Sequence, residues 1–184
     1  MSDKHKDRRL KMRQEFEQIL VSLIGMECWS CTVFYREDTT TILRFGEKLF
    51  REIQDQYLGK ARYIPEESTN YYSKTNLLMR SCFWRISDLS MLLCTSENSE
   101  GYIDEYLLKL VGQKVENAKL IAPNNDLAIV FSNSLTLQLF CRRKLDTTDK
   151  LSYFPAYEIY TRGLNCSVRL DGSVGCSVLP VGDA

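Results

Sequence analysis

The chain has 184 residues, 44% of them hydrophobic and 26% charged, which is enough length and apolar content for one large domain or two small ones with a real core. Its 24 Lys and Arg balance its 24 Asp and Glu, so no net field gathers nucleic acid or an anionic membrane. No apolar run approaches the roughly 20 residues of a bilayer span.

The N-terminal stretch carries Lys4, Lys6, Arg8, Arg9, Lys11 and Arg13 without an apolar run of the signal-peptide kind, and a cytoplasmic protein is expected. A first helix is expected from about Asp7 to Ile24, because Phe16, Ile19, Leu20, Leu23 and Ile24 share a face at helical spacing. Gly25 is its natural stop, since glycine takes the left-handed conformation at little cost. Positive charge in the first turns opposes the helix dipole, so a frayed start, before about Lys6, is expected. Met26 to Tyr35 is β-branched, aromatic or Cys, and with a turn at Glu37-Asp38 it reads as strand, turn, strand through Phe45.

Glu47 to Leu58 reads as a helix closed by Gly59, on the stripe Leu49, Phe50, Ile53 and Tyr57. Lys60 to Thr75 is polar and tyrosine-rich and reads as a long surface loop. Leu77 to Ile86 and Leu89 to Thr95 read as two strands, both apolar enough to be central. Ser96 to Gly101 is a polar break, and a second helix runs from there to Val111. Alternation in Leu127–Phe131 and Leu135–Cys141 requires an odd loop about Asn133, pairing Phe131 with Leu135 and Ile129 with Leu137. After a polar excursion from Lys144 to Lys150, a strand is expected in Ala156 to Thr161. The last hairpin takes a three-residue loop, Leu170-Asp171-Gly172, which pairs Val168 with Val174, Cys166 with Cys176, and Leu164 with Val178.

Phe16 to Gly25 aligns without a gap on Ile103 to Gly112, and each stretch is followed by a polar turn and an apolar run ending in Phe, at Phe45 and Phe131. The expected fold is therefore α+β, mainly antiparallel sheet, with two related helix-plus-sheet halves, 1–96 and 97–184, packed as one body.

Seven cysteines, an odd number spread through apolar runs, read as free core thiols in a reducing compartment. Cys28-Trp29-Ser30-Cys31 has redox or zinc spacing, yet strand alternation sends Cys28 and Cys31 to opposite faces. A redox pair belongs at a helix N-terminus, and a zinc site needs two more ligands that no second close Cys or His pair supplies. No metal and no cofactor are expected. His5, the sole histidine, lies in the charged leader, so a Ser-His-Asp or Cys-His unit is not expected. Adjacent carboxylates such as Glu66-Glu67 and Asp104-Glu105 point apart, and nine scattered glycines form no phosphate loop. No catalytic residue is assigned. The basic runs at Arg8–Arg13 and Arg142–Lys144 lack interleaved aromatics, so nucleic acid is not an expected partner.

Tyrosine suits protein interfaces, combining apolar area with few rotors and a polar tip. Tyr63, Tyr71 and Tyr72 share one polar loop with Glu66 and Glu67, and these five are the expected partner-binding residues; Tyr153, Phe154 and Tyr157 form a second group. The alternative is that the rings cover sheet edges. Glu66 and Glu67 between the rings suit a basic surface such as that of a nuclease toxin.

The phrase Leu110-Val111-Gly112, followed by a β-hairpin whose apolar strand ends at Phe131, resembles a pattern of small, β-rich bacterial immunity-type proteins, which bind and block toxins. The resemblance implies a non-enzymatic protein-binding module, most concretely an immunity or antitoxin protein that occludes a toxin. Alternatives are a regulatory or accessory subunit of a larger cytoplasmic complex, one handling nucleic acid included, and a small carboxylate-based enzyme.

Overall fold

The structure, a computed structural model, describes residues 3–35, 40–50, 62–64, 71–80, 82–89, 91–141, 155–161, 164–169 and 173–178. Within them β1 (Glu27–Phe34) is central: it pairs with β2 (Thr40–Phe45) on one edge, and on the other with β9 (Gln113–Ile121) near its start and β4 (Arg62–Ile64) further on. Outward from β2 come β6 (Thr75–Met79), β12 (Pro155–Thr161), β13 (Leu164–Arg169) and β14 (Val174–Val178). Outward from β9 come β10 (Asp126–Phe131), β11 (Leu135–Phe140), β7 (Phe83–Asp88) and β8 (Met91–Thr95). These twelve strands form one antiparallel sheet, and β3 (Leu49–Phe50) with β5 (Tyr71–Tyr72) makes a separate two-stranded ribbon.

The expected α+β fold with two helix-plus-sheet halves is thereby corrected. Among the described residues only two helices, α1 (Asp3–Leu23) and α2 (Glu100–Leu108), accompany fourteen strands, and the fold is β-rich with one large sheet. The chain crosses the middle of the sheet twice: β7 and β8 leave β6 to pair onto β11, and β12 leaves β11 to pair onto β6. Periodicity reports which face a residue takes, not which strand lies beside it, so these exchanges leave no trace in the pattern.

At the sheet centre two helix-to-strand passages are held by matching bonds. Gly25 N–H donates to Val115 O and Gly112 N–H to Cys28 O, both at 2.7 Å. Each glycine has φ above +80° (+85° and +82°), the left-handed region that closes a helix and that a side chain disfavours. Between them Glu27 pairs with Lys114 and Cys28 with Gln113.

The first helix runs from Asp3 to Leu23, beginning earlier than the expected Asp7. It buries Phe16, Ile19, Leu20 and Leu23, while Ile24, just past the helix end, is exposed. Phe16 meets the ring of Tyr157 edge-on at 6.1 Å, and α1 packs along both β9 and β14. The same core includes Leu127, Ile129 and Phe131 of β10 with Leu137 and Leu139 of β11. Ile129 lies opposite Leu137 and Leu127 opposite Leu139, the register an odd loop demands. In that loop Ser134 takes φ +66° and the Leu135 N–H donates to Asn133 Oδ1.

Three further expectations are corrected. The Glu47–Leu58 helix is replaced at Leu49-Phe50 by β3, where Phe50 is exposed and rests edge-on against Tyr71 instead of packing on a helical stripe; 51–58 lie outside the described residues. Lys60–Thr75 is not simply a loop, since it contains β4, β5 and the first residue of β6. Leu77–Ile86 is two strands, ending at Met79 and resuming at Phe83 on the other side of the sheet.

Candidate functional site

Cys28 lies opposite Phe45 and Cys31 opposite Leu43, with a bulge between Cys28 and Ser30. The extra residue reverses the strand's parity, so the expectation that the two cysteines face opposite ways is corrected: both enter the core beside Phe45 and Leu43. Burial pushes the Cys28 thiol up to about 12 and the Cys31 thiol well above its usual range. Such thiols are poor nucleophiles and poor metal ligands at neutral pH. Among the described residues no group of three or more His, Cys, Asp or Glu could hold a metal ion.

Cys166 and Cys176 face each other in the expected register, with Val168 opposite Val174 and Leu164 opposite Val178, but they are joined as a disulfide. This corrects the expectation of free thiols at those positions: direct pairing brings their Cα atoms to 4.2 Å. The other five cysteines are thiols, not joined in a disulfide. Thiol titration of denatured, unreduced protein is expected to find five reactive groups, rising to seven after reduction; seven from the start would place a dithiol in this hairpin.

Of the expected partner-binding residues, Tyr63 lies in β4, its backbone paired with Thr32, and Glu66 and Glu67 fall outside the described residues. Tyr71 and Tyr72 lie together in β5, both half-buried. Tyr71 meets Trp29 edge-on at 6.5 Å and Phe50 at 5.9 Å, while Lys48 Nζ stands 5.6 Å from the Trp29 ring centre. Of the second aromatic group, Tyr157 is fully buried and donates to Asn125 O, while Tyr153 and Phe154 lie outside the described residues.

Tyr72 borders a pocket of about 280 Å³ on the sheet face opposite Leu43 and Leu77. Residues directly opposite in neighbouring strands share a face. Ser30, Arg44, Asn76, Tyr160 and Asn165 are successive cross-strand partners from β1 to β13, and so form one polar row. Arg44 is 8% exposed, and its Nη1 donates to Thr32 Oγ1 at 2.5 Å and Ser30 Oγ at 3.3 Å. Ser73 Oγ donates to Phe45 O, and Asn76 Nδ2 donates to Ser73 O. Tyr160 and Asn165 both donate to Glu158 Oε2, at 2.8 and 3.2 Å. Burial, with Glu158 adding to it, pushes the Tyr160 hydroxyl up to about 12. Ile42 and Leu78 provide apolar wall. Sequence reasoning missed this site, because an Arg alternating with apolar residues in a strand reads as a solvent-facing position.

The second feature it missed is β8, expected to be central and found at the sheet edge. Among the described residues β8 pairs with β7 alone. Leu89 is 89% exposed, Met91 66% and Leu92 60%. The opposite edge, β14, presents instead the small residues Gly175, Cys176 and Ser177 and lies against α1.

No protein-family model matches the chain, and comparison with curated proteins and with solved structures finds no match.

Proposed function

We propose that the chain is a non-enzymatic protein-binding module that captures an extended segment of its partner as an added strand on β8. The observation that carries this reading is the edge strand itself, which among the described residues is paired on one side only and is bordered by the exposed Leu89, Met91 and Leu92. Proteins ordinarily guard such edges with charge, proline or a covering element, because an open edge invites pairing. Strand addition uses the edge for main-chain hydrogen bonds and the alternate side chains for specificity. Asp88, opposite Met91, and Glu100, at the start of the helix packed on β8, place negative charge at its borders. The matching segment is apolar at alternate positions and flanked by Lys or Arg. A basic toxin segment, in line with an immunity role, is the narrower form of this reading; a complex subunit is the other form.

The test compares wild type with Met91→Lys/Leu92→Lys in affinity for the partner recovered by pull-down. Exposed substitutions usually change stability by under about 0.5 kcal/mol, whereas losing an interface anchor costs about 2 kcal/mol or more. Affinity is therefore expected to fall by about thirtyfold with the melting temperature nearly unchanged. If affinity survives in this variant and is lost in Tyr71→Ala/Tyr72→Ala, the partner surface is the β3–β5 ribbon and the β8 reading fails.

A further inference from the structure

We infer that the segment captured by β8 runs antiparallel to it and lays apolar side chains on a shelf formed by Tyr102 and Tyr106 along one flank of α2. The inference rests on the β8 reading and gives the captured segment a direction and a composition. Among the described residues five strands, β2, β6, β12, β13 and β14, lie outward from β1, whereas four, β10, β11, β7 and β8, lie outward from β9. The fifth place on the longer wing is held by β14, which pairs antiparallel to β13 and lies against α1, with Cys176 Sγ 3.5 Å from Met12 O. The corresponding place, beside β8, adjoins α2, which packs on β8.

Strand parity and helix geometry determine what a strand in that place touches. Ile86 and Cys94 lie opposite one another and both enter the core. Asp88, two residues on from Ile86, takes the same face, and so does Met91 opposite it. That is the face α2 covers, with Ile103 and Leu107 in the core and Tyr102 O 4.0 Å from Cys94 Sγ. On α2, Asp104 is turned about 100° from Ile103 and accepts a bond from the Tyr35 hydroxyl, so that flank faces the end of β1. Tyr102 is turned about 100° the other way, toward the β8 edge, and Tyr106 follows it one turn on. Their ring centres are 4.9 Å apart, Lys109 Nζ caps Tyr106 at 3.7 Å, and Glu105 holds Lys109 at 3.0 Å. The rings are thus held in place before a ligand arrives, and Tyr102, 41% exposed, retains apolar area to cover. With Met91 it offers a shelf for leucine-sized side chains on one face of the added strand. An antiparallel segment brings its N-terminal end to Thr95, where a Lys or Arg meets Glu100 at the start of α2.

The probe is a synthetic peptide in which Leu alternates with Thr between paired lysines, Lys-Lys-Leu-Thr-Leu-Thr-Leu-Lys-Lys, titrated into the full chain and followed by amide exchange and amide NMR signals. Protection of Met91–Thr95 is expected. A nitroxide on the peptide's N-terminus is expected to broaden the signals of Thr95 and Glu100 more than that of Met91. Tyr102→Ala is expected to weaken peptide binding about tenfold or more, and Tyr102→Phe to keep it. Leu108→Ala, at an exposed site on the Asp104 side of the helix, is expected to leave it unchanged. If the peptide protects β8 but Tyr102→Ala binds it as well as wild type, or loses no more than Leu108→Ala, the shelf is overturned while strand capture stands. Broadening centred on Met91 overturns the direction in the same way. No protection of β8 by the peptide removes both the shelf and strand capture.

Discussion

Phe16→Ala is expected to cost about 3–5 kcal/mol of stability, a large part of the roughly 5–15 kcal/mol that holds a domain folded. The ring is fully buried and sits edge-on against Tyr157 of β12. Its helix packs on β9, beside the sheet centre, and on β14, at one edge, so α1 ties strands that lie far apart in the sheet. Removing the ring leaves a cavity at that tie, which relaxation of a sheet anchored on both sides fills poorly. On the same helix Val21 is 64% exposed, and Val21→Ala is expected to shift stability by less than about 0.5 kcal/mol. Urea unfolding of the two variants checks this; similar small losses for both would mean that α1 is not part of the core.

Alkali is expected to unfold the protein. Burial raises the pKa values of Cys28, Cys31 and Cys82 above the ordinary thiol value of 9.0, and that of Tyr157 well above 10.0. In the unfolded chain these groups lose their protons near their ordinary values, while in the folded protein they keep them. The unfolded state then binds fewer protons, so stability falls as pH rises. It is fully present below about pH 8, and is lost through the window from about 9 up to the raised folded values, about 12 for Cys28. Each group contributes a slope of about 1.4 kcal/mol per pH unit where the two states differ by a full proton. Urea midpoints measured from pH 8 to pH 11 should drop steeply; a flat profile to pH 11 would show that these groups are accessible to solvent.

What could be read in advance was local. The buried face of α1 follows from its spacing, and both hairpin registers follow from parity, because only an odd loop about Asn133 sets Ile129 opposite Leu137 and only a three-residue loop sets Cys166 opposite Cys176. The failures arose where one residue or one distant pairing decides. The bulge before Ser30 turned Cys28 and Cys31 to the same side. The exchange of β7–β8 and β12 across the sheet merged the two halves and moved the apolar strand Met91–Thr95 from an expected centre to an edge. The polar row through Arg44, Asn76 and Tyr160 exists only once β2, β6 and β12 are neighbours, and they come from widely separated parts of the chain.

Amide hydrogen exchange, free and in complex with the captured partner, tests partner capture on β8 most directly. An added strand gives the outward N–H groups of an edge strand a hydrogen-bond acceptor and slows their exchange. Protection is expected to rise along Met91–Thr95 and to stay unchanged along Val174–Val178 at the opposite edge. Unchanged exchange in β8, with new protection at Leu49–Phe50 and Tyr71–Tyr72, would contradict the proposal.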